Sequence, residues 1–504
     1  MSDATVRVRL EPWSTDIDVP RGSLLGGILA AHGVELPCGG TGTCGGCGVR
    51  VHAGILPVTQ ADETAFTALE LDQGWRLACQ ARAAIPLVLE CGETRMDVLA
   101  DEAYLGGAGK PGLGIAIDLG TTTIAAQTID LASGNVLAVR TGLNPQVKYG
   151  ADVMSRVRAA LVGADLTGLI RAALGAMTTE LAGARSDEIV EVVLVGNTVM
   201  HHLFCGLDVE PLSHAPFESA HLDEQGFRPA ELGWTLGEHC VVRFARCIGG
   251  FVGSDILAGI VATGIANGDA LAALVDLGTN GEIAIGNRHG IVCASTAAGP
   301  AFEAGTIRMG MRAVPGAIAH VSRAGASLDA KVIGDIAPRG ICGSGLVDAV
   351  AVGLATGVVL SSGRVATSGK TFPIAGPVVL FQSDVRELQL AKGAIASGFR
   401  LLLARRGATV RDLSRLEFAG AFGNYVQIRS AIEIGLFDAP AEIIRPAGNT
   451  ALRGAKMMLL RAEEPVLPHI SHLCLASIPE FQDEFAACMA FPASPVMAEG
   501  CLGR

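Results

Sequence analysis

The chain has 504 residues, half of them hydrophobic and 17% charged, with 65 glycines and a formal net charge of -12. That length accommodates about three domains with a large buried core, and the composition excludes a disordered or fibrous protein. The acidic balance, with no basic patch against it, excludes a polyanion such as DNA as a partner.

Residues Met1 to Leu10 alternate polar and apolar side chains and carry Arg7 and Arg9 where a signal peptide needs an uninterrupted apolar run, so a cytoplasmic protein is expected. Val6, Val8 and Leu10 share one face of a period-2 pattern, and after a turn at Glu11 to Thr15 a second strand begins with Ile17 and Val19. Gly22 to His32 read as a helix, with Leu24, Leu25, Ile28 and Leu29 at helical spacing. Then Cys38, Cys44 and Cys47 lie among six glycines between Pro37 and Gly48, and Cys79 follows between Trp75 and an expected strand over Ile85 to Glu90.

The four cysteines read C-x5-C-x2-C-x31-C. A loop around an iron–sulfur cluster needs turns that a Cβ resists, and its N–H groups must come close to the sulfides. The spacing resembles that of ferredoxins carrying a 2Fe-2S cluster. Four thiolates also suit zinc, but zinc ribbons offer two C-x2-C knuckles and here there is one. The chain has 13 cysteines, and those beyond these four are scattered without paired spacing, which argues against a secreted disulfide framework.

Periodicity lapses between Thr94 and Pro111, and Leu105 to Gly112 reads as a flexible, turn-rich link. The expected division is a domain over 1–93, a linker over 94–112, a two-lobed domain over 113–490 and a tail over 491–504. Leu113 to Ile117 is a short apolar run that ends in Asp118, followed by Gly120, Thr121, Thr122 and Thr123 and a second strand over Ile124 to Ile129. The same order recurs from about residue 272, with Asp276, Gly278, Thr279, Asn280 and Gly281 in the corresponding places. Strand, acidic turn, strand is a hairpin whose glycine lets N–H groups face a phosphate, whose threonines add donors and whose aspartate can hold magnesium.

Further on, Val192 to Val195 reads as a buried strand leading into a helix capped by Asn197 or Thr198. His201 and His202 are adjacent on that helix and so point in different directions, which favours packing over a metal site. Cys342 opens another helix and reads as a buried neutral thiol. The longest uncharged run, Ala349 to Gly363, is shorter than the ~20 residues of a membrane span, so none is predicted.

The doubled hairpin resembles the superfamily of acetate and sugar kinases, Hsp70 and actin, in which two such turns embrace nucleotide phosphates. A later glycine turn covers the adenosine there, and Phe418 to Asn424, with Gly420 and Gly423, resembles it. The implied fold class is a multi-domain α/β protein: a β-grasp ferredoxin-like domain followed by a two-lobed ATPase of the actin, Hsp70 and sugar-kinase type.

Taken together, the cysteine set, both hairpins, Gly196 to Leu203, Phe251 to Asp255, Ala298 to Glu303 and Pro479 to Phe485 resemble the reductive activators of corrinoid proteins. That resemblance implies ATP-dependent one-electron reduction of corrinoid cobalt from Co(II) to Co(I), in support of a methyltransferase system. It implies a 2Fe-2S cluster on Cys38, Cys44, Cys47 and Cys79, with ATP and Mg2+ between the lobes. Asp118 and Asp276 are the expected catalytic residues, positioning magnesium or water, while Thr121 to Thr123 and Thr279 to Gly281 hold phosphates. The expected partners are a corrinoid protein and an upstream low-potential electron donor, without nucleic acid or membrane; a homodimer is left open. Longer members carry a middle region between the two parts, whereas here residues 94–112 alone are expected to separate them. Cys474, Cys488 and Cys501 match no cluster motif, so one cluster is expected. Two other readings use the same ATPase fold: a small-molecule kinase under redox control, or an interaction protein switched by nucleotide.

Overall fold

The computed structural model of the chain describes residues 5–11, 15–30, 34, 42, 47–66, 68–91, 103–325, 327–423, 425–461 and 466–492. They fall into two compact units: the described residues up to 91 together with 145–151, and the rest from 103 onward.

The first unit is built on a five-stranded sheet of β1 (Thr5–Glu11), β2 (Thr15–Pro20), β3 (Gly48–Ala53), β4 (Trp75–Leu77) and β5 (Leu87–Cys91), ordered β2-β1-β5-β3-β4. β1 pairs with β2 antiparallel and with β5 in parallel, which is the β-grasp arrangement expected. The alternation read from the sequence is real: Val6, Val8 and Leu10 are buried while Thr5, Arg7 and Arg9 face out. The helix is Leu25–Ala30, inside the span expected for it. β5 starts two residues later than expected, directly after Pro86, which has no N–H to give to a ladder.

In the second unit one topology is used twice. β6 (Leu113–Leu119), β7 (Thr123–Asp130), β8 (Val136–Leu143), β9 (Ile189–Gly196), β10 (Gln225–Phe227) and β11 (Val241–Phe244) form a sheet ordered β10-β11-β9-β6-β7-β8. β12 (Ala272–Leu277), β13 (Gly281–Asn287) and β14 (Gly290–Thr296) begin the second sheet. After them come a side sheet of β15 (Ala317–Ala324), β16 (Ser327–Val332) and β17 (Gly340–Ile341) and a hairpin of β18 (Thr371–Ala375) and β19 (Val378–Phe381). β20 (Arg415–Ala419), β21 (Ile444–Gly448) and β22 (Ile470–His472) then complete the order β21-β20-β12-β13-β14-β22.

In each sheet an antiparallel three-strand meander (β6 to β8, β12 to β14) is extended by parallel strands (β9 and β11, β20 and β21). β6 and β12 are therefore central and nearly continuously apolar. Leu113, Ile115, Ile117 and Leu119 enter one core, while Ala116 on the opposite face packs with Leu452, Ala455 and Leu459 of the helix Thr450–Leu460. That helix lies against Ser254–Thr263, and the crossing is close because it runs through glycine: Gly454 meets the backbone of Ala258, and a Cβ at Gly259 would lie 3.1 Å from Thr450 Oγ1.

Residues 103–112, which include the stretch Leu105 to Gly112 expected to be flexible, are tied into this unit. Lys456 donates to Ala103 O at 2.7 Å, Lys110 to Arg461 O at 2.9 Å and the Ala108 N–H to Leu131 O at 2.8 Å. Local composition cannot report such bonds, because their partners lie hundreds of residues away for both lysines. Among the described residues no single helix is long and apolar enough to cross a membrane.

Candidate functional site

The first hairpin folds as read. β6 and β7 pair from Leu113↔Asp130 to Leu119↔Ile124, leaving Gly120 to Thr123 around the tip. A Cβ on Gly120 would lie 2.6 Å from Thr123 O, so the turn is too tight for any side chain there. Asn144 donates from its side chain to Gly120 O at 3.0 Å and from its backbone to Thr122 O at 2.9 Å. Asn197 caps the helix Thr198–Cys205 by accepting from the Met200 N–H, and its Nδ2 donates to Thr121 Oγ1 at 2.8 Å. The cap predicted at Asn197 or Thr198 thus also holds the hairpin.

The second hairpin pairs β12 with β13 down to Leu277↔Gly281, and Gly278 N–H closes the tip on Asn280 O at 2.9 Å. Gly420, at φ +88°, sits against its base: a Cβ would lie 2.6 Å from Asp276 Oδ1. The glycine turn over Gly420–Gly423 therefore lies beside Asp276; Asn424 is outside the described residues.

The two hairpin tips meet. Thr122 Oγ1 and Thr279 Oγ1 are 2.9 Å apart, and both reach Glu303, Thr279 at 2.9 Å and Thr122 at 3.4 Å. Asp118, Asp255, Asp276 and Glu282 form one electrostatic group at the base of the hairpins. Burial, opposed by the Asn449 side chain that donates to Asp118 at 2.9 Å, holds the Asp118 carboxyl up at about 6. Burial raises Asp255 to about 7, with Asp118 adding repulsion. Burial lifts Asp276 to about 8, with repulsion from Asp255 and then Asp118. Glu282 lies well above the carboxylate range for the same reason, burial first and then Asp255 and Asp276. Such a group favours the arrival of a cation or a proton.

Asp255, Glu282 and Glu303 were not read from the sequence as site residues. Asp255 and Glu303 end the segments Phe251 to Asp255 and Ala298 to Glu303, so the signal was present but their roles depend on tertiary placement. His201 and His202 are both fully buried, and His202 bonds Thr198 O at 2.8 Å and Ser219 Oγ at 2.7 Å, which is packing as expected. Cys342 is likewise buried, with Sγ 3.4 Å from Ile318 O. Among the described residues no three His, Cys, Asp or Glu side chains are arranged to hold a metal ion by themselves.

In the first unit Cys47 directly precedes β3, whose Gly48 pairs with Leu77 of β4, and Ala78 N–H donates to Cys47 O at 2.9 Å. Cys79 follows two residues after Leu77, so the ladder brings the two thiols to the same end of the sheet; each is 1% exposed. Gly26 makes room for this turn, since a Cβ there would lie 2.6 Å from Cys79 Cα. Gln80 Nε2 lies 3.5 Å from Cys79 Sγ. Cys38 and Cys44 are outside the described residues. Two buried thiols beside a glycine-lined turn fit a sulfur-ligated iron cluster.

Fold and site together define a class: a nucleotide-fold protein with a doubled phosphate hairpin and an attached ferredoxin-like domain. Residues 8–84 match the family described as 2Fe-2S iron-sulfur cluster binding domain, residues 113–268 the RACo middle region, and residues 270–499 the C-terminal domain of RACo, the ASKHA domain. The chain is 34% identical over 416 residues to the corrinoid activation enzyme RamQ of Eubacterium limosum, covering 75% of this chain and 70% of that protein. It is 28% identical over 381 residues to the [Co(II) methylated amine-specific corrinoid protein] reductase of Methanosarcina barkeri, covering 69% and 70%. A solved structure described as a reductive activator for corrinoid,iron-sulfur protein superposes with TM-score 0.67 at 26% identity, over 97% of this chain and 98% of that one. The chain belongs to the family of reductive activators of corrinoid proteins.

One expectation is corrected by these matches. The middle region expected to be missing is present as residues 113–268, the segment that carries the first hairpin. It is not an insertion between the parts but the first of the two matching sheets, which is why no extra length marks it.

Proposed function

We propose that this chain binds ATP between its two hairpins and uses it to drive one-electron reduction of a corrinoid protein from Co(II) to Co(I). Cys38, Cys44, Cys47 and Cys79 would hold a 2Fe-2S cluster, which when bound supplies a one-electron carrier. Gly120 to Thr123 and Gly278 to Gly281 present N–H and hydroxyl donors to the phosphates, and Asp118 and Asp276 hold Mg2+ directly or through water. Gly420 and Gly423 border the nucleotide beside the second hairpin. The upstream reductant is a low-potential donor.

The observation that carries this reading is the meeting of Thr122 and Thr279, one from each copy of the turn, above a shared group of carboxylates. Lobe closure on nucleotide changes what the surface presents, and a state that binds one cobalt form better shifts the reduction by that difference in affinity and no more. Asp276→Ala should abolish ATP-dependent appearance of the Co(I) absorption band while leaving the visible spectrum of the iron–sulfur protein intact. Undiminished activation by that variant would remove nucleotide from the mechanism. ATP hydrolysis measured with and without a Co(II) corrinoid protein separates this activity from that of a small-molecule kinase.

A further inference from the structure

Glu303 stands where an anion-binding site should not need an anion. It ends the short turn Pro300–Glu303, and backbone of restricted type flanks it on both sides: Gly299 at φ +72° and Ala304 at φ +59°. A left-handed alanine persists only where its surroundings hold it. Here Phe302, 2% exposed, packs on Phe422 with ring centroids 4.8 Å apart, and Gly343 leaves no room for a Cβ against Phe302 O. The turn is thus built to present the Glu303 carboxylate at one place.

At that place it accepts from Thr279 Oγ1 at 2.9 Å and lies 3.4 Å from Thr122 Oγ1, while the two hydroxyls are 2.9 Å from one another. A hydroxyl has one hydrogen to give. Thr279 cannot donate to Glu303 and to a phosphate oxygen at once, and Thr122 can donate to only one of Thr279, Glu303 and a phosphate. Burial raises the Glu303 carboxyl above its ordinary value, opposed first by the Thr279 hydroxyl and then by Arg312, Thr122 and Arg156, each of which favours the carboxylate.

The geometry points to a clasp that rests on the nucleotide reading above: the Glu303 carboxylate competes with phosphate for the hydroxyls of Thr122 and Thr279, and must release them for a nucleotide to seat. Its release opens a side-chain link through which the tips of both hairpins are held to a third element. A released Glu303 also leaves Arg312 and Arg156 with less compensating charge, which the entering phosphates supply.

The test compares ligands that differ only in phosphate on the full-length protein reconstituted with iron and sulfide. Glu303→Gln keeps the shape and loses the charge, so it should bind ATP and ADP about tenfold more tightly than wild type, with adenosine unchanged, by isothermal titration. Should that variant fail to fold by circular dichroism, Glu303→Asp, which withdraws the carboxylate by one methylene, should show the same ordering of ATP against adenosine. Equal or weaker ATP binding by a folded variant overturns the clasp. Absence of ATP binding by wild type, in contrast, overturns the nucleotide reading itself, so the two failures are distinguishable.

Discussion

Asp276 shows what a single buried carboxyl does to the pH dependence of this protein. Burial and its acidic neighbours lift it from 3.8 to about 8. Across that window the folded state holds a proton that the unfolded state has lost, so its contribution to stability is complete below the ordinary carboxylate range and is lost as pH rises through about 8. Asp276→Asn removes that loss and also relieves part of the repulsion felt by Glu282. The variant should therefore gain stability over wild type on going from about pH 5 to about pH 8.5. Urea midpoints at the two pH values, measured without divalent cation, check this, and Mg2+ should narrow the gap by neutralising the wild-type group. An identical gap at both pH values would mean that Asp276 ionises freely.

At the scale of elements, what was legible in the sequence was what neighbours in the chain determine. Each hairpin is one local unit, so Asp118 and Asp276, the tight glycines and the threonines could be read together, and the alternation of Val6, Val8 and Leu10 gave β1 its buried face. Asp255 begins a helix, Glu282 lies in β13 and Glu303 ends a turn, and only packing gathers them at the site. The same limit hides the role of Asn449 from its neighbours in the chain. It caps the helix Thr450–Leu460 by accepting from the Leu452 N–H at 2.8 Å and donates to Asp118. Asn449→Ala should cost about 1 kcal/mol from the cap alone and push the Asp118 carboxyl further up, because the opposing hydrogen bond is gone. Gly454→Ala acts on the same helix by a different route. Its methyl meets the backbone of Ala258 at the helix crossing, and overpacking of that kind costs about 1–3 kcal/mol. Thermal melts of both variants, with ATP titrations of the folded protein, separate them: the alanine at 449 should weaken ATP binding more than its stability cost explains, through Asp118.

Over the whole molecule, the cluster cysteines and the paired hairpins belong to different cores. Val8, Leu10, Leu25, Leu29, Val49, Leu77 and Leu89 form an apolar cluster with Cys47 and Cys79, all of it from residues 6–89. The apolar clusters of the second unit draw on residues from 113 onward. A small core of this kind gains a large share of its stability from what it ligates. The larger core gains by mass action from what it binds, about 2.7 kcal/mol at a ligand concentration of about 100 Kd. Calorimetry should therefore resolve two transitions. ATP should raise the one followed by far-ultraviolet circular dichroism of the larger unit, and Cys79→Ser should abolish visible absorption and lower the other. ATP should bind the Cys79→Ser protein with wild-type affinity while Co(I) formation is lost, because the thiol and the hairpins serve separate cores. If bleaching of the visible absorption instead moved upward with ATP by the same interval as the larger transition, the two cores would be unfolding as one, and the chain would have to be treated as a single cooperative body.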